Sequence, residues 1–259
     1  MRVLNEQTYP NQTIDIVTLT CNRCEIAEKG IDDLYERVKY PDKIRLIVVD
    51  DESVDDTPKM LERKKQEGKV HTIISAPSTN ISQAYNRAFD YVQSPYFLMM
   101  QEDIRIPKYE DKDVVERLIE LMEKWPEYGG VGCRIERIPN MDWALGNEDI
   151  APARKSLSAY FRIQLKSDYE RMGRLDERRG WDDVNFLARI RSIGLEGGWA
   201  KNIWCSHARG YAPNRNYNIK PRSWGFNHLS RMNQAIERKP YPRVDEFTNV
   251  PLKGEKIFR

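Results

Sequence analysis

Short runs of apolar and β-branched residues alternate along this chain with stretches whose apolar positions recur at helical spacing. Ile14–Thr20, Ile44–Val49, Val70–Ser75 and Tyr96–Met100 are runs of the first kind, and each predicts a buried strand. Between them, Glu25–Val38 carries Ile26, Ala27, Ile31, Leu34 and Val38, and Ser82–Val92 carries Ala84, Ala88, Tyr91 and Val92. Both spacings put one apolar stripe on a helix. Thr57-Pro58, preceded by Asp55-Asp56, opens a further helix, because acids and an early proline suit a helix start. The alternation βαβαβαβ implies right-handed crossovers and an α/β fold with a largely parallel sheet covered on both faces.

The pattern continues with a helix over Val114–Trp125 and a strand over Gly129–Ile135, then weakens from Pro139 to Gly180. Within that weak segment Ser158–Leu165 is expected as a strand and Lys166–Met172 as a helical turn. From Trp181, residues Val184, Phe186, Leu187, Ile190 and Ile193 form one helical face, which Gly194 stops. A last amphipathic helix is expected from Phe226, with apolar positions at 226, 229, 232 and 236.

Composition narrows the class. A chain of 259 residues, 40% apolar and 32% charged, buries a large core and is not disordered. No run approaches the roughly 18 apolar residues of a membrane span, and Met1–Glu6 lacks the apolar core of a signal peptide, so a cytoplasmic location is expected. Cys21, Cys24, Cys133 and Cys205 do not form a disulfide framework, and no second Cys pair or nearby His completes a zinc site with Cys21-Asn22-Arg23-Cys24. Charge is uneven: residues 208–259 hold 11 Lys/Arg against 4 Asp/Glu, whereas residues 1–207 hold 31 against 36. A basic, aromatic tail on an acidic body suggests an anionic partner, or a solvated face against that body.

Three acid sets fall at element ends: Asp50/Asp51, Glu102/Asp103 and Asp182/Asp183. An open α/β sheet gathers such ends along one edge, where like charges repel unless a cation or a donor-rich ligand lies between them. A cation held there can bind a diphosphate, and a carboxylate can accept the proton of an incoming hydroxyl.

The motifs resemble those of the GT-A glycosyltransferases, especially the large inverting family of nucleotide-sugar enzymes, over residues 13–208. Thr18-Leu19-Thr20-Cys21-Asn22-Arg23 is similar to that family's first strand and turn. Val48-Val49-Asp50-Asp51-Glu52-Ser53-Val54-Asp55-Asp56-Thr57 resembles its Val-Asp-Asp-x-Ser-x-Asp-x-Thr signature, and Asn80–Asn86 the segment under the sugar diphosphate. The resemblance implies a GT-A catalytic domain over 1–207, with a nucleotide-sugar half at 13–107 and an acceptor half at 108–207, and a basic extension at 208–259. It implies nucleotide contacts from Thr20, Asn22, Arg23, Asp50, Asp51, Asn80, Gln83 and Glu102, with UDP as the nucleotide. Met100-Gln101-Glu102-Asp103 stands at the family's DxD position but lacks its first acid, which is Gln101 or Met100 here. Asp103 and His207 are then the expected ligands of Mn2+ or Mg2+. Gly180-Trp181-Asp182-Asp183 resembles the motif that supplies the base, so Asp183 is expected as general base with Asp182 beside it, and Trp181 and Trp224 as acceptor contacts.

The acceptor is open: a saccharide or glycoconjugate, a lipid-linked glycan, or DNA carrying a hydroxymethylated base, the last two suited to the basic tail. A nucleotidyltransferase would favour a glycine-rich loop after the first strand, and Thr20–Glu28 has no glycine. A non-catalytic nucleotide-binding module would leave Asp182, Asp183 and His207 without a task.

Overall fold

The four predicted N-terminal strands lie side by side as a parallel sheet. The computed structural model describes residues 9–78, 80–135, 146–178 and 182–207, with residues 135 and 207 described by their backbone only. The elements are β1 (Ile14–Thr20), α1 (Cys24–Arg37), β2 (Ile44–Asp50), α2 (Thr57–Gln66), β3 (Thr72–Ser75), α3 (Ile81–Phe89), β4 (Tyr96–Gln101) and β5 (Ile104–Arg105). They continue with α4 (Val114–Lys124), β6 (Tyr128–Ile135), β7 (Ile150–Pro152), β8 (Phe161–Leu165), α5 (Lys166–Arg171), α6 (Asp182–Ser192) and β9 (Glu196–His207). The strand order is β3-β2-β1-β4-β8-β6-β9-β5, with β7 paired to β9.

β1 through β4 pair in parallel, and so do β6 and β9. β8 lies between β4 and β6, antiparallel to both. The sheet is therefore parallel in its first half and mixed in its second. β9, twelve residues long, was not expected from the pattern: Gly197, Gly198, Lys201 and Asn202 interrupt its apolar run.

Alternation along the strands divides the core in two. Ile16, Leu46, Leu98 and Ile163 face α1, α2 and α4, while Val17, Ile47, Phe97 and Met99 face α3, α5 and α6. Both faces are thus covered, as the continuous apolar runs require. Strand β8 breaks the rule on one side: Phe161 and Ile163 join the first core, but the alternate positions are Arg162 and Gln164, both fully buried.

Local signals account for several boundaries. Asp113 and Glu116 make a reciprocal capping box at the start of α4. Asp55 accepts from the backbone N–H of Cys24 (3.3 Å) and of Thr57 (2.9 Å), so one carboxylate serves the starts of two helices. Gly194, with φ of 81°, ends α6 as expected. Gly30 lets α1 approach the turn after β4, since a Cβ there would lie 2.3 Å from the Glu102 carbonyl oxygen. The four cysteines are free. Among the described residues no helix is long and apolar enough to cross a membrane. The expected helix from Phe226, the basic tail, Trp181 and Trp224 lie outside the described residues.

Candidate active site

The carboxyl edge of the parallel strands is built by two interlocked turns. β1 and β2 are in register at Thr20 and Asp50. Beyond that pair the backbone N–H of Asp51 donates to the Thr20 carbonyl at 3.0 Å. Asn22 (φ 52°) and Glu52 (φ 53°) both take the left-handed conformation that lets each strand turn sharply. Asn22 Oδ1 accepts from Val54 N at 2.7 Å, and Ser53 Oγ accepts from Asn22 N at 2.8 Å, which ties the turns together. Asp50 Oδ1 accepts from Ser53 N, and Asp51 Oδ1 from Ser78 N at 2.5 Å.

Two groups are left over at this edge. Asp51 Oδ2 and Thr20 Oγ1 are buried and have no hydrogen-bond partner within the protein. Buried polar groups are almost always satisfied, so both stand out at this edge. Burial pushes the Asp51 carboxyl up to about 6, against the opposing bond from Ser78. Asp50 is raised too, by burial, with the Ser53 contacts opposing.

The second acid set follows β4 directly. Glu102 and Asp103 are both buried, and Arg23 lies across them, with Nη1 2.6 Å from Glu102 Oε1 and 3.3 Å from Asp103 Oδ2. Burial raises Glu102, the charge of Arg23 opposes it, and Asp103 adds to the rise. Arg23, expected at the nucleotide, thus neutralises the acid turn here. The β5–β9 ladder pairs Ile104 with His207, so residue 207 arrives one position from Asp103. Among the described side chains no three His, Cys, Asp or Glu residues group as a complete metal set. Asp103 lies in the turn between β4 and β5, next to the residue that pairs with position 207, and a carboxylate with a histidine is a donor set suited to a small divalent cation that takes its remaining ligands from a diphosphate and water.

The third set opens α6. Asp183 is partly exposed, and its Oδ1 accepts from Val184 N at 2.8 Å. Asp182 is buried, with Oδ2 unpartnered within the protein. Burial and then the charge of Asp183 push the Asp182 carboxyl up to about 7, with Arg162 opposing. The buried acid of the pair thus holds its proton to a far higher pH than an ordinary carboxylate. Tyr160 shows that the sets converge. Its hydroxyl is raised mainly by burial, Ser158 opposing, and then by the charges of Asp183, Asp103 and Asp182 together. Its carbonyl accepts from Gln101 N at 3.1 Å, which places it beside the acid turn.

Asn80 and Gln83, expected under the diphosphate, also clamp the approach to α6. Asn80 caps α3 by accepting from Gln83 N (3.0 Å) and donates to the Glu177 carbonyl (2.6 Å), while Gln83 Nε2 reaches Glu177 at 3.5 Å. Asn86 donates to the Leu175 carbonyl, and Asn185 to that of Asp176. Tyr160, Ser78, Glu177 and Arg162 were not expected from the sequence. Only Ser78 carried a signal, as a turn residue between β3 and α3.

Comparison with known proteins agrees with this fold. A search of curated proteins returns no match. Among solved structures, a mannosyltransferase from Pyrobaculum calidifontis in complex with GDP-Man and Mn2+ superposes with a TM-score of 0.64 at 19% identity, covering 90% of this chain and 66% of that one. S. aureus TarS 1–349 in complex with UDP-GlcNAc superposes at 0.60 with 12% identity, covering 75% of this chain and 58% of that one. The chain thus spans less than two thirds of either structure, and at these identities the likeness shows a shared GT-A fold. The family profile described as Glycosyl transferase family 2 matches residues 15–179, well over half of the chain, and the protein belongs to that family.

Proposed function

We propose that the protein transfers a sugar from a nucleoside-diphosphate donor, UDP-linked by preference, to an acceptor hydroxyl with inversion. The observation that carries this reading is the pair of buried, unpartnered oxygens on Thr20 and Asp51 at the carboxyl edge of the sheet. They face a ligand with its own N–H and O–H donors, as a nucleoside has. Asp50, Asn22, Asn80 and Gln83 shape the surrounding wall, with residues 13–107 forming the donor half and 108–207 the acceptor half. Arg23 and Glu102 lie where the ribose and diphosphate would enter.

Asp103 and His207 would hold Mn2+ or Mg2+, which when bound neutralises the charge developing on the departing diphosphate. The likeness to a structure containing GDP-Man and Mn2+ supports this assignment. Asp183 takes the proton of the acceptor hydroxyl as its oxygen bonds to the anomeric carbon and the bond from that carbon to the diphosphate breaks. Asp182, protonated near neutrality, donates a hydrogen bond that orients the acceptor. Trp181 and Trp224 would offer stacking faces to it. The acceptor is a saccharide or glycoconjugate; the excess of basic residues in 208–259 would suit an anionic one, such as a lipid-linked glycan or hydroxymethylated DNA, as the alternative. A thermal-shift panel of nucleotide-sugars with and without Mn2+ tests the donor half. The expected result is stabilisation by one nucleotide-sugar that depends on the cation; no shift with any of them would overturn the reading.

A further inference from the structure

Among the described residues Arg162 is the largest fully buried side chain. It is fully buried on β8, at a position where the alternation calls for an apolar residue in the second core. Its register partner is Met99, whose sulfur lies 3.0 Å from Nη2. Nε donates to Gln164 Oε1 at 3.1 Å, Nη1 donates to the Leu157 carbonyl, and the guanidinium lies 3.7 Å from the centre of the Phe186 ring. Among the described residues no carboxylate lies within ion-pair distance of it. A buried cation held only by neutral groups is costly and calls for a negative charge nearby.

Two contacts aim Arg162 at the start of α6. Phe186 stands one turn beyond Asp182 and Asp183, so its ring lies beneath their turn of the helix. Leu157, whose carbonyl takes the Arg162 bond, donates its own N–H to the Asp183 carbonyl at 3.2 Å. The guanidinium, the Leu157 peptide and the first turn of α6 thus form one connected unit. The groups whose charge reaches Arg162 are Asp182 and Asp183 on α6, Tyr85 on α3 and Tyr169 on α5. Both tyrosines are buried and held neutral, which leaves the two aspartates as its counter-charge.

We propose that Arg162 is a positioning residue for the transfer, a buried cation beneath the first turn of α6 that keeps the Asp182–Asp183 pair negatively charged and sets the pH range in which it accepts a proton. The role of that proton transfer rests on the reading of Asp183 as general base; the hold on the pair does not. Burial holds the Arg162 guanidinium below its ordinary value and the acid pair opposes that fall, so the stabilisation is mutual.

The test is the pH dependence of Tm for the full chain and for Arg162→Met and Arg162→Lys, alone and with Asp182→Asn. The folded value of Asp182, about 7, lies above the ordinary carboxylate range, so its contribution to stability is present at low pH and is lost as pH rises towards 7. Without the charge of Arg162 the folded value rises further, and the loss extends above pH 7. The Tm gap between Arg162→Met and the unmodified protein should therefore widen by about 3–5 °C from pH 6 to pH 9. It should stay constant for Arg162→Lys, and for Arg162→Met in the Asp182→Asn background. Methionine suits the apolar surroundings; if that variant does not fold, Arg162→Gln is measured in its place. A gap independent of pH in all backgrounds marks a packing role and overturns the proposal. The acid limb of kcat/KM, recorded on the same variants, should move to higher pH in Arg162→Met and return in Arg162→Lys. A widening Tm gap with an unmoved limb would leave the hold on the pair standing and remove Asp183 as the base.

Discussion

Two pairs of adjacent aspartates border the same sheet edge, and they are built in opposite ways. Asp50 and Asp51 end a strand, and their partners are backbone N–H groups of Ser53 and Ser78. Asp182 and Asp183 open a helix whose Phe186 ring lies 3.7 Å from the buried Arg162 guanidinium. Burial raises both members of the first pair, Asp51 to about 6, and lifts Asp182 of the second to about 7. The first pair has rigid donors on one side and an unmet acceptor on the other, which suits a site that binds and does not react. The second has one buried carboxyl raised to about 7 and one partly exposed carboxylate, which suits a site that trades protons. Identical residues thus stand in different settings because one pair is fixed by turns and the other by the core.

The largest effect should come from the second pair. Asp183→Asn keeps size and hydrogen bonding but removes basicity, and should lower kcat by roughly 10²–10⁴ while nucleotide binding stays intact. Asp182→Asn should act mainly on acceptor KM; a normal kcat in the first variant and none in the second would reverse the assignment. Next in size is the cation. Chelation should lower the transfer rate by at least about 10² and Mn2+ should restore it, since a metal supplies several kcal/mol at the leaving group. Full activity in excess chelator would give the neutralising role to Arg23 alone.

The first pair should show in binding. Asp51→Asn should weaken nucleotide affinity by about 10–100-fold, the worth of a hydrogen bond to a charged group, as read by calorimetry. In the unmodified protein that affinity should fall as pH drops through about 6 and the carboxylate takes up a proton. The sign for stability is the reverse: a raised folded value favours folding below the ordinary carboxylate range and is lost as pH rises towards 6. Asp51→Asn should therefore raise Tm by roughly 4–8 °C at pH 8 and leave it unchanged at pH 4. An equal shift at both pH values would remove Asp51 as a buried, ligand-facing carboxylate. The smallest effect concerns the frame. Gly30→Ala places a methyl 2.3 Å from the Glu102 carbonyl oxygen, and overpacking of this kind costs about 1–3 kcal/mol. It should lower Tm by a few degrees and weaken Mn2+ binding by displacing the acid turn; an unchanged cation affinity would separate that turn from α1.

The fold of the first half was legible because each of its signals is local. Apolar runs define β1, β2 and β4, amphipathic spacing defines α1 and α4, and Asp55 and Pro58 mark the start of α2 without reference to the rest of the chain. The acid sets were legible for the same reason, since each lies within a few residues of an element end. The second half was less so. β9 is interrupted by Gly197, Gly198, Lys201 and Asn202, and only its neighbours β6, β7 and β5 make it a continuous strand. Arg162 and Gln164 alternate with Phe161 and Ile163, a pattern that in sequence means one solvated face. Insertion of β8 between β4 and β6, with α6 laid across it, buries that face instead. Sequence thus determined which residues could carry the chemistry, since that depends on side-chain type and distance from an element end. Tertiary structure alone decided which of two adjacent aspartates is buried, and that a buried cation would lie beneath them, because burial and charge proximity arise from elements that meet only when the sheet closes.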